Sequence, residues 1–314
     1  MKPSKDTVPY SGIQTFLGRP YVDRPKGDED VIVLGVPLDA GTSYMPGARF
    51  GPAGIRRASM IYKFYEEEQG LLDISRGKII LRNVKIVDLG DVNLPFGDQK
   101  AAMDTIYRKA LELKGLKAFR VFLGGDHSIT YPLVKATKEE FGEIGLIQFD
   151  AHLDMLDTYM GIKYTHGSSI VRAIDEAEVK PENIFQIGIR GFLNSYTSYK
   201  KAKELGTNII TIKSIRTLGI EKTVEKIIQK LKNKPIYITF DIDSMDPGIA
   251  PGTGTTEPGG FTYSEISTLI NEIFTKLNIV AMDVVEVAPL LDVNDITSKL
   301  AVSIILEALG SKFP

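Results

Sequence analysis

The chain has 314 residues, 43% apolar and 25% charged, with 38 Lys and Arg against 40 Asp and Glu. The absence of cysteine excludes disulfide staples, thiolate catalysis and sulfur metal ligands. Near-neutral charge gives no basic stripe for nucleic acid, and no apolar run approaches the roughly 20 residues that span a bilayer. The N-terminus lacks the apolar core of a signal peptide, so a cytoplasmic address is expected.

Residues 1–29 are rich in Pro, Gly and charge and read as an arm on the surface, with one catalytic domain over 30–314. Short β-branched runs then recur at 31–34, 84–87, 119–122, 144–147, 184–187, 208–211, 236–239 and 279–282. Between them lie stretches of helical spacing. Ala102, Ile106, Ala110, Leu111 and Leu113 share one face, as do Val224, Ile227, Ile228 and Leu231, and again Ile266, Leu269, Ile270 and Ile273. Alternation of this kind predicts an α/β fold, a mostly parallel sheet of about eight strands covered by helices on both faces. In such sheets ligands bind beyond the carboxyl ends of the strands.

The polar motifs fall at those ends. His127 lies in Gly124-Gly125-Asp126-His127-Ser128, after an apolar run, on a loop whose two glycines permit a tight approach. Asp150, His152 and Asp154 follow the next run, and Asp241 and Asp243 follow the run 236–240. In extended chain, positions i, i+2 and i+4 share a face, which would aim each set the same way. The third and last histidine, His166, sits in Tyr164-Thr165-His166-Gly167-Ser168. Four carboxylates and two imidazoles make six ligands. Two divalent cations cancel four carboxylate charges, whereas one would leave buried negative charge. Imidazole with carboxylate oxygen suits Mn²⁺, Ni²⁺ or Zn²⁺, and the share of hard oxygen favours two Mn²⁺. Such a pair would acidify a shared water for hydrolysis.

With these three motifs, the chain resembles the ureohydrolases, the family of arginase, agmatinase, guanidinobutyrase and formiminoglutamase. Residues 41–52 and 252–260 are similar too. The resemblance implies a three-layer α/β/α sandwich assembled as trimers or hexamers. It implies one manganese on His127, Asp150, Asp154 and Asp241, and another on Asp150, His152, Asp241 and Asp243. It also implies that His166 shuttles protons and that Glu286 holds the substrate guanidinium, while Asp154 orients the nucleophile.

The substrate implied is a small guanidino compound, split to urea and an amine. The Asn expected before the shuttle histidine of arginases is missing from residues 159–167, which disfavours arginine. Residues 191–195 and the glycine-rich segment around Glu257 resemble agmatinases and guanidino-acid hydrolases, and agmatine, giving putrescine, is the first expectation. Lys163 or Arg172 could instead greet a carboxylate tail, as in a guanidino-acid hydrolase such as one for guanidinobutyrate. Ser168 and Ser169 replace a Thr-Pro-like pair, and Thr256 stands where proline is common. Other readings are a metallophosphoesterase, which would draw on more than three histidines, a one-zinc deacetylase-like amidohydrolase, and a metal-binding scaffold without activity.

Overall fold

Ten strands and nine α-helices form among residues 8–64 and 66–314, which the computed structural model describes. The strands are β1 (Val31–Val36), β2 (Leu71–Asp73), β3 (Lys78–Ile80), β4 (Ile86–Asp91), β5 (Phe119–Gly124), β6 (Gly145–Phe149), β7 (Ile184–Ile189), β8 (Asn208–Thr211), β9 (Pro235–Asp241) and β10 (Asn278–Val285). The helices are α1 (Gly51–Ser59), α2 (Gln99–Leu111), α3 (Thr130–Phe141), α4 (Ser169–Asp175), α5 (Tyr196–Leu205), α6 (Ile212–Leu218), α7 (Ile220–Leu231), α8 (Tyr263–Lys276) and α9 (Ile296–Lys312). Eight strands build one sheet in the order β4-β1-β5-β10-β9-β6-β7-β8, with every pairing parallel. The eight predicted strands are these eight. The antiparallel hairpin β2–β3 was not predicted.

The sheet is covered on both faces because its strands alternate between two cores. On β1, Val31 and Val33 join the core under α1 and α6–α9, while Ile32, Leu34 and Val36 join the one under α2–α5. Helix periodicity fits: α7 buries Val224, Ile227 and Leu231, and α8 buries Ile266, Leu269, Ile270 and Ile273. A Thr262–Glu265 capping box starts α8.

The expected surface arm is more than that over its described part, since Phe16 and Leu17 are fully buried. Their backbone N–H groups are held by Asp88 Oδ2 (2.7 Å) and Ser59 Oγ (2.8 Å), and the same Asp88 pairs with Arg56. A buried carboxylate already neutralised by arginine thus ties residue 16 to the sheet, and the Ser59 hydroxyl ties residue 17 to α1. Residues 1–7 of the arm lie outside the described residues.

Register brings the polar motifs level. Phe149 faces Phe240 across β6 and β9, and Val285 faces Asp241 across β9 and β10. Residues 150, 241 and 286 therefore leave the sheet at one height, from neighbouring strands. No helix among the described residues is long and apolar enough to cross a membrane.

Candidate metal centre

The four central strands β5, β10, β9 and β6 deliver His127, Glu286, Asp241 with Asp243, and Asp150 with His152 and Asp154 to one place. His127 arrives by close backbone approach. A Cβ at Gly125 would stand 1.8 Å from the Leu38 carbonyl oxygen, so only glycine fits there. His127 Nδ1 then lies 2.9 Å from Asp154 Oδ2, 3.0 Å from Asp150 Oδ2 and 3.2 Å from Asp241 Oδ2. His152 Nδ1 lies 3.0 Å from Asp243 Oδ2 and 3.4 Å from Asp150 Oδ1. Two clusters that could each hold an ion, His127-Asp150-Asp154 and Asp150-His152-Asp243, share Asp150.

The donor set fits metal ions. Ligand atoms about 2.1 Å from one ion and at right angles to each other stand about 3 Å apart, the spacing seen here. His127 Nδ1 is buried with no hydrogen-bond partner among the described residues, though carboxylate oxygens surround it. Burial alone would lower the His127 pKa, but Asp154, Asp150 and Asp241 outweigh it and hold it well above the ordinary value. Burial likewise opposes charge on His152, yet Asp243 and Asp150 push it up to about 12. Burial, then Asp150, raise Asp154. Concentrated negative charge of this kind is what a cation relieves.

The ligands converge by a different local geometry from the extended one expected. β6 ends at Phe149, and Asp154 adopts a left-handed backbone (φ +51°). Asp243 sits in a 3-10 turn, Ile242–Ser244, rather than in strand. The chain bends because side chains cap its own N–H groups: Asp150 Oδ1 accepts from His152 N (2.6 Å) and Asp241 Oδ1 from Asp243 N (2.8 Å). Asp154 is fixed through α4, whose Ile170 and Val171 N–H groups donate to its carbonyl, while Ser169 Oγ donates to Oδ2 at 3.1 Å.

Glu286 also has positive φ (+64°), an uncommon state for this residue type that strains the backbone by about 1 kcal/mol or more. Its N–H donates to the Gly125 carbonyl, and its Oε1 accepts from His127 N at 2.8 Å. His166 Nδ1 lies 3.1 Å from the same oxygen, while Oε2 meets no donor among the described residues. Burial works against charge on His166, but Glu286 prevails and lifts it to about 9. The far nitrogen, Nε2, lies 2.7 Å from Ser43 Oγ.

A cavity of about 790 Å³ opens onto this centre. His152, Asp154 and His166 line it, with Ser43, Tyr44, Tyr159, Asn194 and Thr255 further along its wall. Glu286 lies behind His166 rather than on the wall. Neither Lys163 nor Arg172 lines the cavity. Both pair with Glu176, and Arg172 is buried.

Arg190 is a structural organiser that the sequence did not single out. Its guanidinium donates to the carbonyls of Asp243 (2.7 Å), Ser244 (3.1 Å), Met245 (3.1 Å) and Glu257 (2.7 Å). It thereby clamps the 243–245 turn to the segment around Glu257, whose carboxylate takes the N–H groups of Phe192 and Leu193. An arginine in a strand-end loop looks like any surface charge until the fold brings carbonyls to it. Arg190→Lys offers one ammonium for a fork, and should lower unfolding free energy by about 2 kcal/mol in urea denaturation. An unchanged midpoint would remove Arg190 from that role.

The sequence model of the Arginase family matches residues 29–310. Agmatinase of Bacillus anthracis is 34% identical over 94% of this chain and 97% of its own. The mitochondrial guanidino acid hydrolase of Homo sapiens is 34% identical over 95% of this chain and 82% of its own. The solved structure of proclavaminate amidino hydrolase from Streptomyces clavuligerus superposes with a TM-score of 0.88 at 37% identity, covering 98% of this chain and 99% of that one.

Proposed function

The chain belongs to the arginase family, as a ureohydrolase acting on a guanidino compound, and from that premise we propose that the compound is agmatine, split to urea and putrescine. The observation that carries the choice is the cavity wall, which among the described residues holds no lysine or arginine. A carboxylate tail would find no lysine or arginine to pair with there, at a cost of several kcal/mol if desolvated. An ammonium tail meets neutral polar groups and the tyrosines 44 and 159, and aromatic faces attract cations. The two cations considered for a carboxylate, Lys163 and Arg172, are both committed to Glu176.

His127, Asp150, Asp154 and Asp241 would hold one ion, and Asp150, His152, Asp241 and Asp243 the other, with manganese the match for this oxygen-rich set. Bound divalent cations supply Lewis-acid charge and make water acidic enough to yield a nucleophile near neutral pH. The protein's own groups do the rest. Glu286, with Oε2 lacking a donor, pairs with the planar guanidinium and fixes its orientation, once His166 has swung off that carboxylate. Asp154 faces both the ligand cluster and the cavity, and its raised pKa suits it to take a proton from the attacking water. An oxygen–carbon bond forms at the guanidino carbon. The carbon–nitrogen bond to the tail breaks when the leaving nitrogen gains a proton, which Asp154 or His166 delivers. The reading carries with it a trimeric or hexameric assembly.

Urea release from agmatine, guanidinobutyrate, guanidinopropionate, arginine and free guanidine tests the choice. Agmatine should exceed every other in kcat/KM by about tenfold or more, the discrimination a missing counter-ion gives. A higher value for guanidinobutyrate would move the assignment to a guanidino-acid hydrolase. No urea from any of them, with metal loaded, would leave the scaffold reading.

A further inference from the structure

One buried carboxylate near the metal centre has no part in the chemistry above. Asp283 on β10 is fully buried and accepts hydrogen bonds from three hydroxyls. Thr239 Oγ1 reaches its Oδ1 at 2.6 Å, while Thr130 Oγ1 (2.9 Å) and Tyr237 OH (2.7 Å) reach its Oδ2. Thr239 Oγ1 also lies 2.8 Å from Nε2 of His127. An ionised carboxylate only accepts, and a hydroxyl has one proton. Thr239 gives its proton to Asp283, because no other donor among the described residues reaches Oδ1. Its contact with Thr130 (3.1 Å) cannot take that proton without stranding Oδ1. The Thr239 oxygen is then left to accept, and its partner in the ring must be an N–H.

We propose that Asp283, acting through Thr239, keeps the proton on His127 Nε2, so that Nδ1 is the nitrogen that yields its proton and is offered to a cation. Thr239 and Asp283 are positioning residues. The inference rests on the metal reading of the cluster, and not on the identity of the guanidino substrate. The opposite edge of the ring agrees with it. Nδ1 is the atom that faces Asp154, Asp150 and Asp241, and it has no hydrogen-bond partner of its own. Outer hydrogen bonds of this kind orient a ligating imidazole and raise its basicity. The second imidazole has no such support: His152 Nε2 is buried without a partner among the described residues. The two sites are therefore unequal, with the His127 side the pre-organised one.

The sequence of replacements that tests the relay follows from its polarity. Thr239→Val keeps the shape and deletes the hydroxyl. Thr239→Ser keeps the hydroxyl. Asp283→Asn reverses the direction. Its oxygen is drawn to the side where Thr130 and Tyr237 both donate, which turns the amide N–H towards Thr239, and the Thr239 proton then points at His127 Nε2 and drives the ring proton onto Nδ1.

Calorimetric titration of the metal-free full-length chain with Mn²⁺, together with metal counts after gel filtration, reads the result. Wild type and Thr239→Ser should bind two ions alike, while Thr239→Val and Asp283→Asn should weaken one of the two sites by about 10- to 100-fold. Metal-free Thr239→Val should stay folded but melt below metal-free wild type, because Asp283 Oδ1 loses its donor, so the loss of ion affinity is read on a native chain. Two ions bound by Thr239→Val with wild-type affinity would overturn the relay, as would Thr239→Ser failing as badly as valine. A wild type that binds no Mn²⁺ would overturn the metal reading itself.

Discussion

Glu286→Gln should lower kcat/KM for the guanidino substrate by about 10²- to 10³-fold, while the protein stays folded. Glutamine keeps the length of the side chain and can still accept from His127 N, so the left-handed turn at 286 keeps its anchors. What disappears is the negative charge that pairs with a planar cation. Truncating one partner of a buried, hydrogen-bonded charge pair costs about 2–5 kcal/mol, and each 1.4 kcal/mol is tenfold. A second readout separates this from a loss of packing. Glu286 is the group that lifts His166 to about 9 against the effect of burial. In the variant the His166 titration should fall back towards or below the ordinary 6.5, so that the ring is neutral at pH 8 where the wild-type ring is charged. A raised folded-state pKa adds stability that is complete below 6.5 and is lost as pH climbs through about 9, and the variant should lose that dependence. With only three histidines in the chain, proton NMR of the metal-free protein resolves them. Wild-type turnover by Glu286→Gln would end the guanidinium assignment.

Chelation should abolish activity, and Mn²⁺ should restore it best. The cluster sets how restoration depends on pH. Without ions, His127 is held well above its ordinary pKa and His152 is pushed to about 12, so both rings are protonated at neutrality. A cation must displace the proton facing the carboxylates, and binding therefore releases protons. Affinity should rise with pH, by up to about tenfold per pH unit for each proton displaced, and fall as acid returns those protons. Titrations in buffers of different ionisation enthalpy should show a net release of protons on binding. An affinity flat across pH 6–8, or recovery by zinc exceeding that by manganese, would contradict this.

The sheet was legible because its signal is burial. Runs such as 144–147 and 236–239 are apolar on both sides, since β6 and β9 lie between two helical layers, and no surface strand reads that way. The small hairpin of Leu71–Asp73 and Lys78–Ile80 gave no such signal, as its residues are largely half-buried or exposed. The ligand residues were legible as residue types at strand ends, but their path was not. Extended spacing suggested that Asp150, His152 and Asp154 share a face. The loop instead turns through a left-handed Asp154, held by contacts from α4 that lie 15 or more residues away. Arg190 and Asp283 escaped notice for a related reason. Each acts through partners distant in sequence, carbonyls at 243–245 for one and hydroxyls on α3 and β9 for the other. Arg172 shows the converse, a charge offered to a substrate carboxylate that the fold buries among Asp157, Asp175 and Glu176.

The order β4-β1-β5-β10-β9-β6-β7-β8 puts every loop that carries an ion-holding residue on the four innermost strands. Fraying begins at the rims of a sheet, where half the ladder partners are missing, and travels inward only at rising cost. Partial opening of β4 or β8 thus leaves the ion-holding groups in register, and they come apart only when the whole molecule melts. Loss of function and loss of cooperative structure should then be the same event, with no long-lived inactive form that is otherwise native.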